Sequence, residues 1–224
     1  TNPALMPNYP FDTLRDFFPL TVVGFVPHAV VVRPDFAAKT LPELVALGKA
    51  KPNSLSYGSS GVGTSAHLGA ALFAQRAGIE AVHVPYRGAG PAVEDLLGGH
   101  IQFMFLDMTT ALPLIRSGKL RALAVAPAQR FPGLPNVPTV AEQGYPGFDV
   151  HGWYGLLLKA GTPAAVEQRL YAEVKRALDS AEVQQVFGAA GVEPGGMPPE
   201  AFAALVRSDL KSWKQTIDQL HITL

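Results

Sequence analysis

Between residues 29 and 125 the chain alternates short apolar, β-branched runs with helical stretches, and most of the breaks fall on Gly or Pro. Strands spaced by helices do not pair as hairpins. They lie parallel, with each helix crossing back over the sheet. The rhythm therefore predicts an α/β unit whose parallel sheet is covered on both faces. Residues 29–33 (AVVVR) read as a first strand, ended by Pro34 and Asp35. Thr40 is placed to cap a helix that opens on Leu41-Pro42-Glu43 and stops before Pro52. Further strands are predicted over 54–57, 81–84, 102–106 and 121–125. Helices are predicted over 65–77, 89–97 and 109–117, closed by Gly78, Gly98 and Gly118. A Pro- and Gly-rich connection breaks the rhythm over 127–149. One more strand follows over 153–158, then helices over 163–178, 182–190 and 198–219.

Composition removes several function classes. The 224 residues carry 18 basic and 18 acidic side chains, scattered without a basic stripe, so nucleic acid is not expected as a partner. With no cysteine, disulfides, thiol nucleophiles and thiolate-bound metals are all excluded. The six histidines (28, 67, 83, 100, 151, 221) form no H-x-x-x-H pair, so no metal and no cofactor is expected. No apolar run approaches the length of a bilayer span.

The densest chemical signal is Tyr57-Gly58-Ser59-Ser60-Gly61-Val62-Gly63-Thr64-Ser65-Ala66-His67, with a strand leading in and a helix leading out. Glycines let the backbone turn tightly and approach a ligand. Ser59, Ser60, Thr64 and Ser65 supply hydroxyls. The first amides of a helix have no internal partner, and the helix dipole puts partial positive charge there, so such a loop holds an anion without Lys or Arg. A plain turn with a Ser or Thr cap is the competing explanation. Gly61-Val62-Gly63-Thr64-Ser65-Ala66 also fits a dinucleotide-binding fingerprint, although the next predicted strand ends in Pro85-Tyr86-Arg87 rather than in the acid that grips a ribose. A hydrolase elbow fits worse, because Gly58-Ser59-Ser60-Gly61 lacks the residue after the serine. Two more strand ends fall at the same edge of the predicted sheet. They carry Tyr86 and Arg87, and Asp107. Ligands of open α/β sheets bind outside the carboxyl ends of the strands. Asp107 is expected either to orient a ligand hydroxyl or amine, to accept bonds from the loop, or to cap the helix after it.

The runs YGSSGVGTSAHL, VHVPYRGAGPAVEDLLGGHIQFMF, ALPLIRSGKLRALAV and PNVPTVAEQGYPGF, with WYGLLLKAGTP near the end, resemble the periplasmic solute-binding proteins of tripartite tricarboxylate transporters, often called the Bug family. The resemblance implies a two-lobe, flytrap-like α/β fold. One lobe covers 27–126, and a partial lobe is built from 1–26 and 127–224. It also implies capture of a small carboxylate, with no catalysis, and delivery to membrane transporter subunits. Ser60, Gly61, Gly63, Thr64 and Ser65 would contact the carboxylate, Asp107 would face them, and Tyr86 and Arg87 would border the cleft. Residues 1–17 carry Asp12, Arg15 and Asp16 and no apolar leader core, so any export signal is expected to have been removed. The family's usual Gly-rich loop of the form P-F-x-x-G-G has no counterpart here. One lobe is therefore expected to be incomplete, with exposed sheet edges open to homo-oligomer formation. A remnant that binds nothing is the remaining alternative.

Overall fold

In the computed structural model the described residues are 2–6 and 8–223. Thr1, Pro7 and Leu224, which fall within the terminal segments assigned above, lie outside them. α1 (Asn2–Leu5) and α2 (Thr13–Asp16) are single turns. They are followed by β1 (Phe17–Val32), α3 (Leu41–Ala50), β2 (Leu55–Ser59), α4 (Ser65–Ala77), β3 (Ala81–Pro85), α5 (Ala89–Gly98), β4 (Phe103–Asp107), α6 (Met108–Arg116) and β5 (Arg121–Val125). A 3-10 turn (Ala141–Gln143) interrupts the way to β6 (His151–Lys159). α7 (Ala164–Leu178), α8 (Ala181–Ala190), β7 (Glu193–Pro194) and α9 (Pro199–Gln219) follow. The chain forms two compact units, Pro27–Gly152 and the pair Thr1–Val26 with Trp153–Leu224.

In the first unit the strand order is β3-β2-β4-β1-β5. β2 runs parallel to β3 and β4, but β1 runs antiparallel to both β4 and β5. The sheet is thus mixed, not the purely parallel one that the alternation predicts. β1 is joined to β2 through α3, yet it inserts between β4 and β5 in the opposite direction, so this helix connection does not return the chain to a neighbouring parallel strand. It also begins at Phe17, well ahead of the predicted start at 29, because Pro19, Gly24 and Pro27 interrupt its apolar pattern. Every residue from 26 to 32 is buried, as expected for a strand paired on both edges and covered on both faces. Met104 and Leu106 of β4 join Ala29, Val31, Leu96 and Leu112 on one face. Phe105 turns to the other face, where it meets Phe73 of α4 and Phe148 at ring separations of 5.8 and 6.1 Å.

Residues 127–152 belong to this unit, whereas the sequence reading ended it at 126. Thr139 makes a parallel bridge with Val125, the Val140 amide donates to the Val125 carbonyl, and the Val150 amide donates to the Ala126 carbonyl. Val140, Phe148 and Val150 are buried. These attachments are made by single residues in irregular backbone, which leave no periodic signal in sequence.

The second unit pairs β1 with β6 and with the short β7. Its core gathers Val22, Phe202 and Val206, with Trp153 edge-on to Phe202 at 5.1 Å. The Trp153 indole N–H donates to Asp209 at 2.7 Å, so this tryptophan packs as a core residue with its polar tip satisfied. Gly155 admits the Phe202 ring, since a Cβ there would lie 2.3 Å from it. Among the described residues no helix is long and apolar enough to cross a membrane.

Phe148→Ala tests the placement of 127–152. Loss of a buried aromatic costs about 3–5 kcal/mol, so the urea midpoint should fall steeply. A change below about 0.5 kcal/mol, as at an ordinary surface position, would show that the segment does not complete the core.

Candidate functional site

The loop 58–65 joins β2 to α4 and is held from within. Gly58 is required by space, because a Cβ there would lie 2.5 Å from Ile101 and 3.3 Å from the Tyr86 ring. Gly61 and Gly63 are required by conformation, with φ of 139° and 77°. Ser59 is fully buried. Its hydroxyl oxygen accepts from the Gly61 amide at 3.2 Å and lies 3.0 Å from the Gly61 carbonyl and 2.7 Å from Nε2 of His83. Thr64 caps α4. Its hydroxyl accepts from the His67 amide and donates to the Gly61 carbonyl at 2.8 Å. The Gly63 amide donates to Nδ1 of His67 at 3.1 Å.

Beneath the loop, three rings stack. His67 and His83 stack face to face, their planes 8° apart and their centroids at 3.7 Å, and Tyr57 stacks on His83 at 5.0 Å. The parallel register that sets Tyr57 beside His83 puts both on the same face of the sheet. Burial pushes His67 down to about 4. Burial, and then the proximity of His67, pushes His83 down to about 4. Burial also raises the Tyr57 hydroxyl to about 12. The stack is therefore neutral near pH 7, as its contacts require: Nδ1 of His67 can accept from Gly63 only when it carries no proton.

The start of α4 adjoins this stack, with Ser65 part-exposed and Ala66 buried. Ser65 and Ala66 lead α4, and their amides have no intrahelical acceptor. Ser60 is half-buried and makes no hydrogen bond among the described residues. Ser65 points its hydroxyl at Nε2 of His28, 3.2 Å away. The same nitrogen lies 2.8 Å from Oδ1 of Asp107. Asp107 occupies the cap position of α6 yet makes no side-chain cap bond. It serves His28 instead, a partner that none of its three expected roles included. Tyr86 borders the loop through its ring, while its hydroxyl donates to Asp95 at 2.6 Å. Burial and that bond push the hydroxyl up to about 12. Arg87 is exposed and forms no ion pair among the described residues. The structure thus brings Ser59, Ser60, Gly61, Gly63, Thr64, Ser65 and Asp107 into one cluster with Tyr86 at its border. For Arg87 it shows no contact with that cluster.

The histidines packed around the loop, two of them buried, are what the sequence reading missed. His67 bonds within the loop, accepting from the Gly63 amide, whereas the sequence reading weighs His28 and His83 only as absent metal ligands. A polar residue inside a run such as Pro27-His28-Ala29-Val30-Val31 was the available signal, since a buried imidazole needs a partner. No group of three or more metal-ligating side chains occurs among the described residues.

The geometry disposes of two rival chemistries. The amides of Gly61 and Gly63 are already donated to Ser59 and His67, so the glycines of the dinucleotide fingerprint do not offer them to a pyrophosphate. Neither Ser–His contact forms a catalytic triad. Ser59 is sealed from solvent, and Ser65 and Asp107 share one nitrogen of His28, whereas a triad needs serine and carboxylate on opposite nitrogens.

The stack has a pH signature. Folded His67 and His83 titrate near 4 and their unfolded forms near 6.5, so in that window the unfolded chain binds more protons. The stability they allow is complete above about pH 6.5 and is lost as pH falls toward 4. Imidazole NMR resonances of both residues should keep neutral-form shifts down to about pH 4. Titration of either near 6.5 would contradict the buried stack.

Comparison with known proteins agrees with this architecture. The profile of the Tripartite tricarboxylate transporter family receptor, TctC, matches residues 1–222. The UPF0065 protein in the tcbD-tcbE intergenic region of Pseudomonas sp. (strain P51) is 38% identical over 212 residues, covering 94% of this chain and 63% of that protein. The chain thus spans under two thirds of the length of such curated relatives. Rpa4515 of R. palustris, solved with adipate, superposes with a TM-score of 0.91 at 30% identity, covering 100% of this chain and 75% of that one. MatC of Rhodopseudomonas palustris, solved with bound malate, gives 0.85 at 30% identity, covering 96% and 74%. The mixed α/β fold, the open sheet and the match over nearly all its residues place this chain in the tripartite tricarboxylate transporter receptor family.

Proposed function

We propose that this chain captures a small carboxylate in the periplasm and delivers it to the membrane subunits of a tripartite transporter, without covalent chemistry. The observation that carries this reading is the start of α4, whose first amides lack an intrahelical acceptor, on a loop that also carries the Ser60 and Ser65 hydroxyls and whose Ser59, Gly61, Gly63 and Thr64 groups are already satisfied. An anion seated there gains the helix dipole and pre-aimed donors without any loop rearrangement. Ser60 and Ser65 contact the carboxylate directly. Ser59, Gly61, Gly63 and Thr64 hold the backbone that presents those donors, and Asp107, Tyr86 and Arg87 border the ligand. The adipate and malate of the two structural relatives support the ligand class. A second copy of the chain is a further partner. Among the described residues β6 pairs with β1 alone, and Tyr154, Leu156 and Leu157 are exposed on it.

Thermal-shift and calorimetric titration with dicarboxylates tests the reading. A ligand at a hundred times its Kd stabilises by about 2.7 kcal/mol, so a clear rise in Tm is expected. Gly61→Ala forces a side chain into a strained φ and should weaken binding about tenfold or more, by misaligning the donors. Stabilisation by NAD(P) alone, or by no carboxylate, would sink the proposal. Light scattering should find a dimer that Leu156→Lys returns to monomer, and a monomeric parent chain would remove the second copy from the partner set.

A further inference from the structure

The carboxylate reading leaves the shared nitrogen of His28 unexplained. His28 sits on β1 directly opposite Asp107 of β4 in the antiparallel register, and its side chain is wholly buried. A carboxylate only accepts hydrogen bonds, so the Nε2 hydrogen goes to Asp107 Oδ1. One hydrogen cannot serve two acceptors well, and Ser65 at 3.2 Å is the longer contact. Nδ1 is buried and has no hydrogen-bond partner among the described residues, so no second donor is spent on that side. Two consequences follow for the outer side of the cluster. The Ser65 hydroxyl keeps its hydrogen for an incoming anion. Asp107, about a third exposed, keeps Oδ2 without a partner among the described residues.

The arrangement therefore sets an anion-seeking helix start and an anion-repelling carboxylate around one imidazole. A bare carboxylate held by Ser65 would face Asp107 with nothing to offer it. A ligand that also carries a hydrogen-bond donor beside its carboxylate satisfies both groups at once. Resting on the carboxylate reading above, we infer that the ligand is a carboxylate with a hydroxyl or ammonium group on the adjacent carbon. Asp107 is the residue that selects it, and His28 is the positioning residue that aims Asp107. A hydrogen bond to a charged acceptor is strong enough for about tenfold discrimination or more.

The test is calorimetric titration of matched acids: succinate against malate and aspartate, and glutarate against 2-hydroxyglutarate and glutamate. The wild type should bind the best donor-bearing acid of a series at least about tenfold more tightly than its plain analogue. Asp107→Asn should narrow the gap by improving binding of the plain acid, a gain that a merely structural aspartate would not give. His28→Met, which keeps bulk but removes the donor, should erase the preference. His28→Gln, whose amide nitrogen reaches the Nε2 position, should restore it. If circular dichroism shows that His28→Met does not fold, Asp107→Asn and His28→Gln decide the question. Equal affinities for plain and donor-bearing acids would overturn the inference and leave the carboxylate reading standing. So would a preference that survives both Asp107→Asn and His28→Met. Failure of every acid to bind the wild type would overturn the carboxylate reading and this inference with it.

Discussion

A hydroxyl group buried out of reach of water organises the candidate site. Ser59 ends β2 with no exposed surface, and a buried hydroxyl without partners costs several kcal/mol in the limiting case. It is satisfied by the Gly61 amide and carbonyl and by His83, and those contacts curl the loop back onto its own strand. His83 stays neutral because it is partly buried and stacked on His67. Neutral His67 in turn accepts from the Gly63 amide. Each member supplies what the next one needs, and a network of this kind is rigid when every member is satisfied. The internal donors are consumed, and those at the start of α4 are left over. A loop assembled in this way is preorganised before any partner meets it.

The second organising element is β1. Its antiparallel insertion between β4 and β5 sets His28 opposite Asp107, with Ser65 of α4 within reach of the same nitrogen. A parallel β1 would run its residues the other way along β4, and that pairing would be lost. The departure from the expected all-parallel sheet is therefore also what links the loop 58–65 to its neighbouring acid. Fold and site meet at a single residue pair.

Much of the fold was legible in sequence, wherever its signals were local. The helix 65–77 and the strand 121–125 appear with the boundaries read from caps, glycines and β-branched runs. Thr64 caps α4, as a hydroxyl before an apolar-periodic stretch suggests. The loop 58–65 was visible because glycine, hydroxyl and helix start are adjacent in the chain. Asp107 was flagged for its place at a strand end, yet its partner was not, since His28 lies far away in sequence and on a strand whose direction was misjudged. Residues 127–152 were assigned to the wrong side of a boundary because their attachment consists of isolated bridges and one buried ring.

By itself, then, the sequence determined the α/β alternation, the capped helix, the glycine-dependent loop and the absence of thiol chemistry, since each depends on residues within a few positions of one another or on composition alone. Only the tertiary structure decided that β1 runs antiparallel, that three histidines lie beneath or beside the loop, and that Asp107 answers to His28 rather than to its own helix. Those outcomes depend on strand register, and register is a property of distant segments packed together. The energies that fix it come from burial and from satisfying buried polar groups, which exist only once the chain has folded.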